Sequence, residues 1–175
     1  MQDFNNINLL FQHMEWADAK VWESVLRQHS ANNDSRMKKL LYHISCVQRA
    51  FFYIRTKQPL VFPKETDFLE LLDIAKWGYE CYTQVNNYLD AFDKNDLNKI
   101  IEIPWANRLE KIIGQKPEEA SLAETMLQVT THSAYHRGQI NARLREIGGE
   151  PPMVDFIAWV WLGKPKAVWA DVFLN

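Results

Sequence analysis

The segment THSAYHRGQI, residues 131–140, places two of the chain's five histidines four residues apart. Residues at i and i+4 of a helix project from one face, so the imidazoles of His132 and His136 could reach one divalent ion. The same pair could instead hydrogen-bond within a polar layer of a buried helix. A metal site therefore requires at least one further ligand from elsewhere in the chain.

His43 is the candidate for that third ligand. It lies between Leu40 and Val47 in a second amphipathic segment, so we expect it to share the apolar face that points into the protein. The apolar stripe predicted for this face consists of Leu40, Ile44, Val47, Phe51 and Ile54. Inward faces of two helices commonly build cofactor sites in bundles. Three buried neutral imidazoles would each need a partner, and a shared ion satisfies all three. Three protein ligands also leave coordination positions open for water or substrate, which is typical of a reactive site.

The remaining polar candidates have weaker assignments. His13 could be a fourth ligand, a group that supports the ligands, or an edge residue, and we favour the edge position. Cys46, one turn from His43, could approach the ion or be a small buried hydrophobe, which is the commoner role of such a cysteine. Gln128 and Gln139 lie within a turn of the histidines and could donate hydrogen bonds that support the ligating rings.

Four long helices are predicted to position these residues, because apolar side chains recur at three- and four-residue steps. They span about residues 4–28, 35–57, 66–92 and 121–147. The third contains Gly78, which is unfavourable inside a helix and can mark a close approach of two helices. The fold class is therefore predicted as all-α, a four-helix bundle.

The helix ends carry recognisable capping residues. Asp34 or Ser35 is expected to cap the second helix, and Thr66 or Asp67 the third. The sequence SLAE fits a capping box at the start of the fourth helix, with Ser121 as the N-cap and Glu124 reaching back. The glycine pair at 148–149 then ends the helix.

Two other segments complete the predicted fold. Residues 93–119 form a long connection before the fourth helix, with one short hairpin, because they combine β-branched residues with Pro104 and the turn GQKP. The segment MVDFIAWVWLG, residues 153–163, is predicted as a short C-terminal helix that Asp155 caps. Arg137, beside His136, could orient an anionic group, but a role as a surface or helix-pairing charge is favoured. Tyr135 could line a pocket or pack against its neighbours.

Composition limits the classes of function. The 175 residues fit one domain over residues 1–175, and 47% hydrophobic with 24% charged residues indicate a globular protein. The net charge of -2 gives no reason to expect nucleic acid or an anionic membrane as a partner. No apolar run is long enough to span a bilayer, and the first residues lack the basic start of a signal peptide, so we expect a cytoplasmic protein.

The run HSAYHRGQINARLREIGGEPPMVDF, residues 132–156, together with a histidine in the second helix, resembles the DinB-like family of metal-dependent enzymes. The matching pattern is HxxxHRGQ, then LR, then GxxPPxxD. EWADAKVW in the first helix is similar to the tryptophan-containing start of many members. The resemblance covers nearly the whole chain. Its motif is a specific marker of the family and a much less specific marker of a reaction.

The resemblance implies a bundle in up-down-down-up order, frequently as a homodimer. It also implies a divalent ion, most often zinc or nickel, whose three histidine ligands correspond to His43, His132 and His136. Some relatives transfer low-molecular-weight thiols such as bacillithiol, others isomerise small acids with mycothiol, and others resemble metal-dependent hydrolases. The expected partner is accordingly a small-molecule substrate.

Three classes of function are open at this point. The first is a metal-dependent thiol transferase or hydrolase that acts on a small molecule. The second is a non-catalytic bundle that binds a metal or a ligand. The third is a structural dimer whose histidines no longer bind an ion. No carboxylate has a spacing to the histidines that marks a general base, unlike the glutamate of HExxH.

Overall fold

A computed structural model describes residues 4–169, and this part of the chain is almost entirely helical, as the all-α prediction requires. Its α-helices are α1 (Phe4–Arg27), α2 (Ser35–Thr56), α3 (Leu71–Asp90), α4 (Glu110–Ile113), α5 (Leu122–Glu146) and α6 (Phe156–Trp161). Two short strands, β1 (Ile100–Ile101) and β2 (Ala120–Ser121), pair antiparallel with Ile100 opposite Ser121. The fourth long helix of the sequence prediction is therefore α5.

The four long helices contact one another in pairs. Helix α5 packs against both α1 and α2, and α3 packs against the same two helices. Gly78 of α3 lies at a close approach to α2, because a Cβ atom at this position would lie 3.3 Å from the Oγ of Ser45. The expectation of a close helix approach at Gly78 is confirmed.

The predicted caps are correct at two helix starts. The Asp34 side chain accepts a hydrogen bond from the Met37 amide at the start of α2. Ser121 and Glu124 form the reciprocal capping box of α5, and the left-handed Gly148, with φ of 84°, follows its end. The local capping signals therefore locate both helices that carry the histidines.

The prediction for the start of α3 was wrong by about one turn. Asp67 belongs to a separate 3-10 turn, Glu65–Asp67, where its carboxylate accepts from the Lys64 amide. Glu70 is the N-cap of α3 and forms a capping box with Asp73. Two capping sequences with acidic residues follow each other here. The one that ends at Asp67 caps a single 3-10 turn, and the one that begins at Glu70 caps α3.

The connection between α3 and α5 is more structured than predicted. It contains the 3-10 turn Lys94–Asn98, strand β1 and helix α4, and it returns to pair β1 with β2 directly before α5. The two strands thus close a wide loop instead of a tight hairpin. At the other end of α5, Asp155 occupies the N-cap position of α6, but its side chain makes no capping hydrogen bond.

The face of α2 that points into the core differs from the prediction. Ile44 and Phe51 are buried as expected, whereas Leu40, Val47 and Ile54 are only partly buried. Four polar side chains of α2 are buried in the core instead: Ser45, Gln48, Arg49 and Arg55. Apolar periodicity cannot identify this face, because a polar side chain is recognised as buried only from the groups that it contacts in the folded protein.

The core between the long helices contains a hydrogen-bonded polar network. Arg137 donates to Asp18 at 2.7 Å, Tyr82 donates to the same carboxylate, and Gln48 donates to Asp18 at 2.7 Å and to Ser133 at 3.0 Å. These five residues are nearly inaccessible to solvent. We call them the buried network: Asp18, Gln48, Tyr82, Ser133 and Arg137.

None of the helices in residues 4–169 combines the length and the apolar character that crossing a membrane would need.

Candidate metal centre

The structure brings His43, His132 and His136 together. One potential ligand atom from each ring lies within 4.8 Å of those of the other two. The ring centroids are separated by 4.3 Å for His132 and His136, 4.5 Å for His43 and His136, and 5.3 Å for His43 and His132. The i, i+4 pair comes from α5 and the third ring from α2, two helices that pack directly on each other.

The position of this histidine cluster, His43, His132 and His136, corrects one expectation. His43 is exposed, and the two rings on α5 are only half-buried, so the rings meet at the rim of the helix pair and not inside the core. On α5 the core position belongs to Arg137, which is 4% exposed and bonded to Asp18. An open rim leaves a small molecule free to reach the three rings from solvent.

Gln139 fixes the orientation of one ring. The Nδ1 of His136 donates to the amide oxygen of Gln139 at 2.7 Å. In the neutral ring this leaves Nε2 as the nitrogen with a free lone pair, which is the tautomer of a histidine that binds a metal through Nε2. The prediction placed Gln139 beside the histidines as a donor, whereas in the structure its oxygen accepts. Gln128 lies on the wall of the neighbouring pocket and has no hydrogen bond to an imidazole among the described residues.

Burial and the neighbouring imidazoles lower the pKa of two of the rings, His132 and His43. Partial burial, followed by the nearby imidazoles of His136 and His43, lowers the pKa of His132 to about 4. Although His43 is exposed as a residue, desolvation of its imidazole beside the protein, followed by the nearby His136, lowers its pKa. The Nδ1 of His132 is buried and, within the described chain, has no hydrogen-bond partner. Two of the rings therefore favour the unprotonated form that binds a metal, and the buried Nδ1 of His132 is a polar atom that an ion or a water would satisfy.

His13 is not a member of this cluster. Its ring is buried against Trp16, Phe156 and Trp159, and its Nε2 is hydrogen-bonded to the Val154 carbonyl at 2.9 Å. These contacts join α1 to the segment around α6. The edge position that we favoured for His13 is therefore replaced by a buried structural contact with the C-terminal segment.

The other flanking residues also have defined places. Cys46 lines the neighbouring pocket, and burial raises the pKa of its thiol. The exposed ring of Tyr135 meets His136 edge to face, with centroids 5.0 Å apart. Within the described chain, the ligand atoms that lie within 4.8 Å of one another belong to the three imidazoles and do not include the Cys46 sulfur. The cluster therefore consists of histidines alone.

A pocket of about 850 Å³ opens beside the histidine cluster. His43 and His132 form part of its wall, together with the outer face of α2, the start of α5 and the connection that contains α4. Val47 and Phe51, which the sequence assigned to the core stripe of α2, line this pocket. Its volume lies in the range of small-molecule sites.

Sequence reasoning missed most of the pocket wall. Trp105, Leu109, Ile113 and Glu118 come from the connection, which the sequence presents as irregular. The available signal was the number of apolar side chains in that connection. A solvated loop of this length would not require them, whereas the wall of a pocket does.

A model of the DinB family matches residues 1–167, so the chain belongs to this family. A search of curated proteins found no significant match.

Proposed function

We propose that this DinB-family protein is a metal-dependent enzyme that acts on a small molecule, with His43, His132 and His136 as the ligands of a divalent ion. Zinc or nickel fits three imidazole donors best. The observation that carries the proposal is that one ligand atom from each of the three rings lies within 4.8 Å of the others, at the edge of a pocket of about 850 Å³. Metal and substrate would thus meet at one place.

The residues present fit such an ion. All three donors are of one type, and His132 offers a buried nitrogen without a partner. His136 already has its second nitrogen bonded to Gln139, as ligating histidines usually do. The lowered pKa of His43 and of His132 means that protons compete weakly with a cation for these rings.

We propose thiol transfer or hydrolysis as the reaction. An ion with open coordination positions lowers the pKa of a bound water or thiol and so supplies a nucleophile at neutral pH. Gln139 holds the His136 ring in one tautomer, and the pocket wall would bind the apolar part of the substrate. In residues 4–169 the cluster contains no carboxylate that would serve as a general base. A thiol ionises more easily than water, so thiol transfer depends less than hydrolysis on a general base.

We further propose that the four long helices form the up-down-down-up bundle of the family, as a homodimer. The pairwise packing of α5 and α3 on both α1 and α2 supports this order. Analytical ultracentrifugation tests the dimer independently of the site.

The activity test uses a panel of low-molecular-weight thiols with a chromogenic electrophile, and a matched panel of esters. We expect turnover by the zinc- or nickel-loaded protein, and loss of turnover in His136→Ala. His29→Ala is the matched control, because His29 is exposed in the turn after α1 and lies outside the cluster. Metal binding without turnover of any thiol or ester would replace the enzyme with the alternative, a non-catalytic metal- or ligand-binding bundle.

A further inference from the structure

The pocket beside the histidine cluster has a wall with a consistent chemical character. Phe51 and Trp105 meet edge to face in it, with ring centroids 5.3 Å apart. Val47, Leu109 and Ile113 add aliphatic surface around these rings. Such a wall gains free energy only by covering an apolar body, since a polar ligand would lose its water there without compensation.

The charges of the wall have one sign. Among the described residues that line the pocket, none is Lys or Arg, whereas Glu118 and Glu124 both line it. Glu124 accepts from the amide and the hydroxyl of Ser121 at 2.7 and 2.6 Å, so its charge is partly compensated. Glu118 is exposed in the connection before β2 and makes no hydrogen bond or ion pair in the described part of the chain.

From this wall we infer the substrate class of the proposed site: a molecule with an aromatic or aliphatic body that is neutral or cationic where it enters the pocket, and not anionic. The inference rests on the proposed function, because it concerns the same site. Along the described wall an anionic body would meet two carboxylates and neither Lys nor Arg, so only the end of a ligand that reaches the proposed ion could carry a negative charge. A thiol that carries carboxylates would accordingly keep them outside the pocket, and the apolar pocket would hold the electrophile or ester that it attacks.

Three ligands of one shape and different charge test this selectivity. They are 2-naphthylacetamide, 2-naphthylacetate and 2-(2-naphthyl)ethylamine, titrated calorimetrically into the full-length protein. The titrations are made on the protein as purified and again after treatment with a chelator, which removes any direct coordination of the carboxylate to an ion. We expect the amide and the amine to bind at least about fivefold more tightly than the carboxylate, the ratio for one charge interaction of about 1 kcal/mol at 4 Å in water.

Glu118→Lys is the charge variant, and Glu119→Lys is its matched control. Glu119 is the next residue and is also exposed, but it does not line the pocket. We expect Glu118→Lys to reduce the preference for the amide over the carboxylate several-fold, and Glu119→Lys to leave it unchanged.

Trp105→Ala tests the apolar part of the inference separately. It should weaken all three ligands by a similar factor, because it removes shared apolar contact and no charge. Trp161→Ala is the control, since Trp161 is 79% exposed on α6 and is not part of the wall.

The carboxylate binding as tightly as the amide to the chelated protein would overturn the inference, and so would the absence of binding by all three ligands. Neither result bears on whether the histidines bind an ion. Conversely, a protein that binds no metal but shows the expected selectivity would refute the proposed enzyme while leaving the pocket's specificity intact.

Discussion

Two polar clusters lie side by side on α5 and differ in how their groups are satisfied. Ser133 and Arg137 belong to the buried network, and each directly follows a residue of the histidine cluster, His132 or His136. In the buried network, hydrogen bonds join the side chains of α1, α2, α3 and α5. In the histidine cluster, the three rings face one another and the only side-chain hydrogen bond described is that of His136 to Gln139.

The difference separates structure from function. Asp18 and Arg137 are a buried ion pair whose charges are compensated by each other and by Tyr82 and Gln48. Groups that satisfy one another in this way define the packing of the helices and need nothing from solvent. His132 has a buried nitrogen without a protein partner, and such a group requires an ion, a water or a ligand.

The largest expected effect concerns the stability of the buried network. Arg137→Met should lower the free energy of unfolding by about 3–5 kcal/mol, because it leaves Asp18 buried without its cation. Urea denaturation measures this. Arg27→Met is the control: its ion pair with Glu23 is on the surface, with the Arg27 side chain 77% exposed, and should cost no more than about 1 kcal/mol. Equal stability of the two variants would contradict a structural role for the network.

The next effect concerns metal affinity. Gln139→Leu should weaken zinc binding by about 10- to 100-fold, because the Nδ1 of His136 loses the acceptor that fixes its tautomer. Competition with a chromophoric chelator measures the affinity. Gln128→Leu, a change of the same side chain on the pocket wall, should leave it unaltered. A larger loss in Gln128→Leu would reverse the assignment of the two glutamines.

A third effect is the pH dependence of the metal-free protein. The pKa of folded His132, about 4, lies below the ordinary value of 6.5, so the unfolded chain binds the proton more readily. The contribution of the neutral His132 ring to the free energy of unfolding is therefore present in full above about pH 6.5. It is lost as the pH falls from there toward 4. Denaturation of the chelated protein at pH 7 and 4.5 should show a smaller loss for His132→Phe than for the wild type. Parallel losses would show that this ring is not protected from protonation.

The smallest effect separates His13 from the ligands. His13→Phe keeps an aromatic ring against Trp16, Phe156 and Trp159 but removes the hydrogen bond to Val154. We expect a loss of about 0.5–1.5 kcal/mol in unfolding free energy and an unchanged metal content. Loss of the ion in this variant would place His13 in the metal site after all.

The sequence was most informative where the signal was local. Apolar periodicity and the caps at Asp34 and Ser121 located α2 and α5, and the i, i+4 spacing put His132 and His136 on one face. It was least informative where a side chain's environment depends on partners distant in sequence. Arg137 appeared to be a surface or helix-pairing charge, and its burial follows only from Asp18, 119 residues away. His43 was expected to be buried because it shares a face of α2 with Val47 and Phe51. In the structure that face lines a pocket, and apolar periodicity cannot distinguish the wall of a pocket from a core.

The metal content of the purified, full-length protein tests the three-histidine site most directly. It is measured by inductively coupled plasma mass spectrometry after loading with zinc or nickel and desalting. We expect one ion per chain in the wild type and in His29→Ala, and its loss in His43→Ala, His132→Ala and His136→Ala while each variant remains folded. A wild type that retains no ion, or folded variants of the histidine cluster that retain it, would contradict the account.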